Sequence, residues 1–259
     1  MPSYEENILR ELSIWQHQML QSPSFTNKLS RKVQQKINSY IPDKVHLAIT
    51  TTIKQMIRAM LFGANVTTRK PLVDASLPVQ EALVLERIAF YKKAAAAEGG
   101  VTGAGGFLLG LADFPLLLSL KLKMLFDIAA FYGHSVDDYR ERIYLLYIFQ
   151  LAFSSHEQRR QVYLKMVNWE VQKQNLPQDI HQFDWQTFQQ EYRDYIDLAK
   201  MAQLIPVIGA PVGALVNYRL LKKLGSTAMN AYRMRWQEAM PNNFTPNPAS
   251  SIIEKYYLK

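Results

Sequence analysis

The chain has 259 residues, 48 % of them hydrophobic, a formal net charge of +8 and no cysteine. Such a chain can bury a sizeable core as one large domain or two small ones, and it can form no disulfide, thiolate nucleophile or thiolate metal site. Its basic balance fits an acidic partner (an anionic membrane surface, a nucleic acid or an acidic protein) and equally a solvated surface that is simply basic.

In chain order, the first expected element is a helix over 4–20. Ile8, Leu12, Trp15 and Met19 recur at steps of four, three and four, which places them on one helical face. This N-terminus is acidic and lacks the basic flank and apolar stretch of a secretory signal, so the expectation is a cytoplasmic protein. Pro23 closes the segment 1–23. Next, Phe25, Leu29, Val33 and Ile37 recur every fourth residue, with Lys28, Arg31, Lys32 and Lys36 beside them and no acidic residue from Ser22 to Pro42. This pattern predicts a basic amphipathic helix of the kind that lies on anionic lipid. A surface helix laying its apolar stripe on the core fits it too. A helix through Val45, Ile49, Ile53, Met56 and Met60, a loop over 63–78 and an Ala-rich helix over 78–97 follow.

The stretch from Glu98 to Gly133 is the most informative. Gly99, Gly103, Gly106 and Gly110 are spaced four, three and four, so on one helix they form a bare seam. Glycine costs about 1 kcal/mol per helix-interior position relative to Ala, and close approach of another backbone offsets that cost. Asp113 reads as the N-cap of a new helix with Pro115 in its first turn, ending at Gly133. Asp137 or Asp138 caps a further helix, a helix runs from about 156 to 174, and Asp184 caps one reaching Leu204. Gly209 and Gly213, with Asn217 one turn on, repeat the small-residue pattern, and the tail 241–259 reads as irregular. No strand pattern occurs. The fold expected is all-α: one helical domain over 24–240, preceded by the helix in 1–23, with about nine or ten helices around two Gly-rich apolar hairpin segments. Asp113 and Pro115 in one segment, and Pro206 and Pro211 in the other, favour buried or partly inserted hairpins over membrane spans.

Chemistry is sparse. There is no phosphate-binding Gly-Lys loop, no nucleophile elbow and no His pair at metal-ligand spacing, so neither a metal nor a cofactor is expected. The catalytic candidates are Asp113, Asp127 and Glu98, carboxylates at or within apolar sequence, where burial raises a carboxyl pKa. Each also has a structural reading: Asp113 as a cap, Asp127 as the i+4 partner of Lys123, Glu98 as a helix-end charge. The basic, aromatic RMRW at 233–236 is the one hint of nucleic acid, and with no reading module visible no nucleic-acid partner is expected.

The segments GGVTGAGGFLLGLADFPLLL with AAFYG, and LIPVIGAPVGALVNY continuing through Leu224 and Gly225, are similar to the bacterial EcsC family. The similarity spans about 25 to 235, supported by IPDKVH near Pro42. The resemblance implies a helical protein linked to transport or secretion, since members are often encoded beside an ABC transporter. It carries over no catalytic residue. The positions matching the family pattern are the glycines, Asp113, Pro115, Pro206 and Asn217, all explicable as structure.

The function expected is that of a non-enzymatic accessory or interaction protein, peripheral at the inner face of the membrane. Lys28, Arg31, Lys32 and Lys36 would meet anionic head groups. Gly99, Gly103, Gly106, Gly110, Gly209 and Gly213 would pack helices, and the partner would be the lipid surface or a membrane protein such as an ABC transporter. Two other readings stay open: a lipid-like ligand binder or hydrolase with carboxylates at an apolar pocket, and a scaffold that binds protein alone.

Overall fold

The computed structural model describes residues 2–21, most of 51–60, 69–182 apart from 105 and 155, residue 184, and 210–241; over 98–104, 106–117, 156–157, 210–213 and at 216 it describes backbone only. Among these residues the regular elements are helices: α1 (Tyr4–Leu20), α2 (Leu77–Ala104), α3 (Gly106–Phe131), α4 (Tyr139–Phe153), α5 (His156–Met166), α6 (Trp169–Gln172), two 3-10 turns (Lys173–Asn175 and Ile180–Gln182) and α7 (Ala210–Glu238). The all-α expectation holds. The basic segment 24–41, the helix expected after Asp184 and all but the first residue of the tail 241–259 lie outside the described residues.

Local chemistry sets the helix ends. Ser3 caps α1 through a capping box, its Oγ accepting from the Glu6 amide at 3.1 Å and Glu6 Oε2 accepting from the Ser3 amide at 2.8 Å. Asp138, one of the two caps expected, starts α4 by accepting from the Arg140 amide at 2.9 Å. Gly133 ends α3 at φ 83°, donating to Ala130 O while the His134 amide donates to Ala129 O. That is a Schellman closure, and it needs a residue at ease with positive φ. The single helix expected over 156–174 breaks at Asn168, which sits at φ 52°.

Three long helices form the hub. Glu81 of α2 meets Tyr132, just past the end of α3, and Arg233 of α7, Tyr91 meets Asp127, Ile88 packs where Gly225 leaves room, and Lys92 lies over the Tyr218 ring. As numbers rise along α2 they fall along its partners, so α2 runs antiparallel to both α3 and α7, which run parallel to each other. An ideal Cβ on Gly225 would sit 2.8 Å from Ile88 Cδ1 and Cγ1, so this glycine is what lets α2 and α7 approach.

This pairing corrects the reading of the first Gly-rich segment. Gly99 and Gly103 belong to α2, whereas Gly106 and Gly110 belong to α3; the four do not line one helix. Asp113 and Pro115 lie inside α3, so Asp113 is not an N-cap. Proline in a helix interior costs about 3 kcal/mol. The apolar face of the same helix, with Leu118, Leu122, Leu125 and Ile128 buried in the core, recovers more than that at about 1.5–3 kcal/mol per buried side chain.

The remaining helices close around the hub. Tyr144 of α4 donates to Ala231 O of α7 at 2.8 Å, and Trp169 of α6 packs on Tyr144 with centroids 5.0 Å apart. From α1, Gln16 bonds Gln237 at 3.0 Å in the interior and Trp15 meets Tyr163 edge to face. Ile53, Ile57 and Met60 reach the same core.

Candidate functional site

The hub has two unlike ends. At the first, two arginines two residues apart on α7 point to opposite sides and each meets a buried glutamate. Arg233 grips Glu81 with Nε–Oε1 at 2.6 Å and Nη2–Oε2 at 2.8 Å. Tyr4 donates to Glu81 Oε2 at 2.6 Å, Tyr132 to Oε1 at 3.3 Å, and Glu11 meets Arg233 Nη1 at 3.1 Å. Arg235 binds both oxygens of Glu141 through Nη1 at 2.9 and 2.8 Å, and Tyr232 donates to Glu141 Oε1 at 2.7 Å. Its Nη2 meets Glu170 at 2.6 Å and His134 Nδ1 at 3.1 Å. Tyr132 and Tyr232 stack with centroids 5.0 Å apart, joining the two clusters.

The electrostatics follow from burial and charge together. Burial, then the bond to Glu81, pushes the Tyr4 phenol up to about 12. Burial opposes the charged form of Arg233, yet the Glu81 bonds outweigh it and its pKa rises. Burial lowers His134 to about 4, with Arg235 adding to the effect against the opposing pull of Glu141. A guanidinium can only donate, so Nδ1 accepts and the neutral ring carries its proton on Nε2. Charge-assisted bonds occupy each of these carboxylates. Removing one partner of such a buried pair costs about 3–5 kcal/mol. The arrangement is a clamp between helices, with its carboxylates turned to protein donors rather than to a cavity.

Asp127 sits in a third cluster. It is buried on α3, 3.1 Å from Arg87, 3.6 Å from Arg69 and 2.9 Å from the Tyr91 hydroxyl. These partners come from α2 and from the segment before it. Burial and the bond to Asp127 raise the Tyr91 pKa.

At the other end, the C-terminus of α2, the N-terminus of α3 and the N-terminus of α7 converge, as their antiparallel and parallel courses require. Both Gly-rich segments therefore meet at one pole. Over 94–104, 106–120 and 210–218 the charged residues are Glu98 and Asp113. Both belong to the backbone-only stretch, as do Gly99, Gly103, Gly106 and Gly110. Gly209, Lys28, Arg31, Lys32 and Lys36 lie outside the described residues and Gly213 is described in backbone only. Just inside the pole, Asn217 is fully buried with neither amide atom hydrogen-bonded, and Lys121 is fully buried too.

Sequence reasoning missed the residues that build the clamp. Arg233 and Arg235 read as a basic tag in RMRW, but they are 9 % and 5 % exposed and ion-paired. A lone Glu81 and Glu141 on otherwise core-facing helix positions were the available signal. Among the described residues no group of three or more His, Asp and Glu gathers to hold a metal, and no helix is long and apolar enough to cross a membrane.

The EcsC protein family matches residues 6–236. Protein EcsC of Bacillus subtilis (strain 168) is 44 % identical over 229 residues, covering 88 % of this chain and 94 % of that protein. Uncharacterized protein YdbA of the same organism is 27 % identical over 219 residues, covering 83 % of this chain and 79 % of its own. No solved structure matches. With the match running across nearly all of the helical hub, the chain belongs to the EcsC protein family.

Proposed function

We propose that this protein is a non-enzymatic accessory protein that docks peripherally on an anionic membrane surface, and that it serves transport or secretion there by engaging a membrane protein such as an ABC transporter. The observation that carries the reading is the convergence of the nearly uncharged ends of α2, α3 and α7 on one pole. From Gly106 to Leu120, α3 extends about 22 Å at 1.5 Å per residue, and the described part of α7 up to Tyr218 about 13 Å. Both lengths fall short of a hydrocarbon core about 30 Å thick, so neither stretch would cross it. In this reading the basic segment with Lys28, Arg31, Lys32 and Lys36 adds attraction at the surface, about 1 kcal/mol per cation.

Flotation of the purified protein with vesicles of phosphatidylcholine alone, or of phosphatidylcholine with phosphatidylglycerol, at low and high salt tests this. Binding to anionic vesicles that partly survives high salt is the expected result. Release by salt would leave surface attachment without insertion, and absence of binding to either vesicle would reject membrane docking.

Asn217 favours a second reading, in which the pole encloses a small polar ligand that pairs its amide. A buried unpaired amide costs about 1–3 kcal/mol. If no ligand fills that role, Asn217→Leu raises the melting temperature and leaves vesicle binding intact. A ligand retained by the wild type in native mass spectrometry and lost from Asn217→Leu would favour the second reading.

A further inference from the structure

Immediately inside the apolar pole, the three hub helices change character together. On α2, Lys92 and Lys93 precede the Ala run; on α3, Lys121 and Lys123 follow Leu120; on α7, Arg219, Lys222 and Lys223 follow Tyr218. Lys92 lies 4.8 Å over the Tyr218 ring, which fixes these parts of α2 and α7 at one level. The Tyr91–Asp127 bond puts Lys123, one turn before Asp127, at that level on α3. By this register the seven cations fall in one band of the hub, about 15 Å deep at 1.5 Å per residue, and that band is the tier. No acidic residue lies between Glu86 and Glu98 on α2, between Asp113 and Asp127 on α3, or before Glu238 on α7.

Lys93, Lys123, Arg219, Lys222 and Lys223 are exposed, whereas Lys121 is buried. Leu215, 49 % exposed, and Tyr218, 38 % exposed, lie three residues apart and continue into Arg219 and Lys222 at helical spacing. One exposed stripe of α7 therefore runs from apolar through aromatic to basic toward the hub centre. That order matches the layers of a membrane interface: acyl chains, the headgroup level where Tyr settles, then phosphate and bound counterions.

We infer that this tier is a basic collar that seats the pole at the phosphate level of an anionic bilayer, fixing how deep α2, α3 and α7 enter. The inference rests on the membrane-docking reading and deepens it, assigning lipid charge recognition to Lys93, Arg219 and Lys222 on the hub in addition to the basic segment before it. The collar limits insertion because its cations stay with the head groups, and the aromatic ring of Tyr218 marks the boundary.

The test uses the full chain and its lack of cysteine. Single probes at Leu215→Cys and, on the far end of α2, at Val79→Cys carry an environment-sensitive fluorophore. With phosphatidylglycerol-containing vesicles, the probe at 215 shifts to the blue and is quenched by nitroxide lipid, while the probe at 79 stays aqueous. Reversing Lys93, Arg219 and Lys222 to Glu lowers the partition coefficient onto these vesicles by about 100-fold or more, at roughly tenfold or somewhat less per lost cation. Their Gln counterparts lower it less, and far-ultraviolet circular dichroism confirms that both variants stay helical. Wild-type binding with an unaltered partition for the Glu variant overturns the collar and leaves membrane docking standing. A blue shift at 79 in place of 215 overturns the assignment of the inserting pole. Absence of wild-type binding overturns docking and collar together.

Discussion

At the scale of single residues, His134 shows how the clamp reports on pH. Its ring accepts from Arg235 and is held neutral, with a folded value of about 4 against 6.5 for the free side chain. Between those two values the unfolded chain binds the proton and the folded chain does not. Stability on this account is full above about 6.5 and falls as pH drops toward 4, by up to about 3 kcal/mol. Thermal melts across this window are expected to show a smaller acid loss for His134→Gln than for the wild type; equal losses would place the acid sensitivity elsewhere. Such pairings were out of reach of sequence reasoning. Arg233 and Arg235 are adjacent in sequence to aromatic residues, yet their partners Glu81 and Glu141 lie 152 and 94 residues away. Only tertiary geometry reveals that they are internal counter-ions.

At the scale of elements, local signals did well where capping chemistry is self-contained. The periodicity of Ile8, Leu12 and Met19 gave α1 and its buried face; Gly133 ended a helix through its positive φ and Asp138 began one through its carboxylate. The failure at Asp113 has the opposite cause. An Asp two residues before Pro is a strong local start signal, but α3 is held by its long contact with α2, and tertiary burial overrode the local preference. Gly225 is the complementary case. Ala has the better helix propensity by about 1 kcal/mol, but its Cβ would collide with the stiff, β-branched Ile88. Gly225→Ala is therefore expected to destabilise the fold by about 1–2 kcal/mol net of the propensity gain. Adding Ile88→Ala should relieve the overpacking, giving a double mutant more stable than the sum of the single effects, as a denaturation cycle would show. Strict additivity would mean that α2 and α7 adjust without strain.

At the scale of the molecule, the sequence made the all-α class and the presence of two Gly-rich segments legible, because each depends on composition and short-range period. It could not show that both segments end at one pole, because that follows from the directions of α2, α3 and α7. It also could not show the basic tier, whose members come from three stretches spread over Lys92 to Lys223. The candidate carboxylates divided in the same way. Asp127 acquired partners from distant sequence, while Glu98 and Asp113 fall on the two arms of the α2–α3 hairpin.

The α2–α7 register also sets what kind of motion the hub permits. A one-turn slide is about 5.4 Å. It would pull Arg233 from Glu81, drive a side chain of α7 into the space that Gly225 leaves for Ile88, and lift Lys92 from Tyr218. These three obstacles are distributed along the same pair of helices, so sliding meets all of them at once. Hinging at the apolar end meets only the Lys92–Tyr218 contact, since the Arg233–Glu81 and Ile88–Gly225 locks lie toward the charged end. The hub is in effect a pair of tongs pinned at its charged end, and the rearrangement it favours is a spreading of the tips.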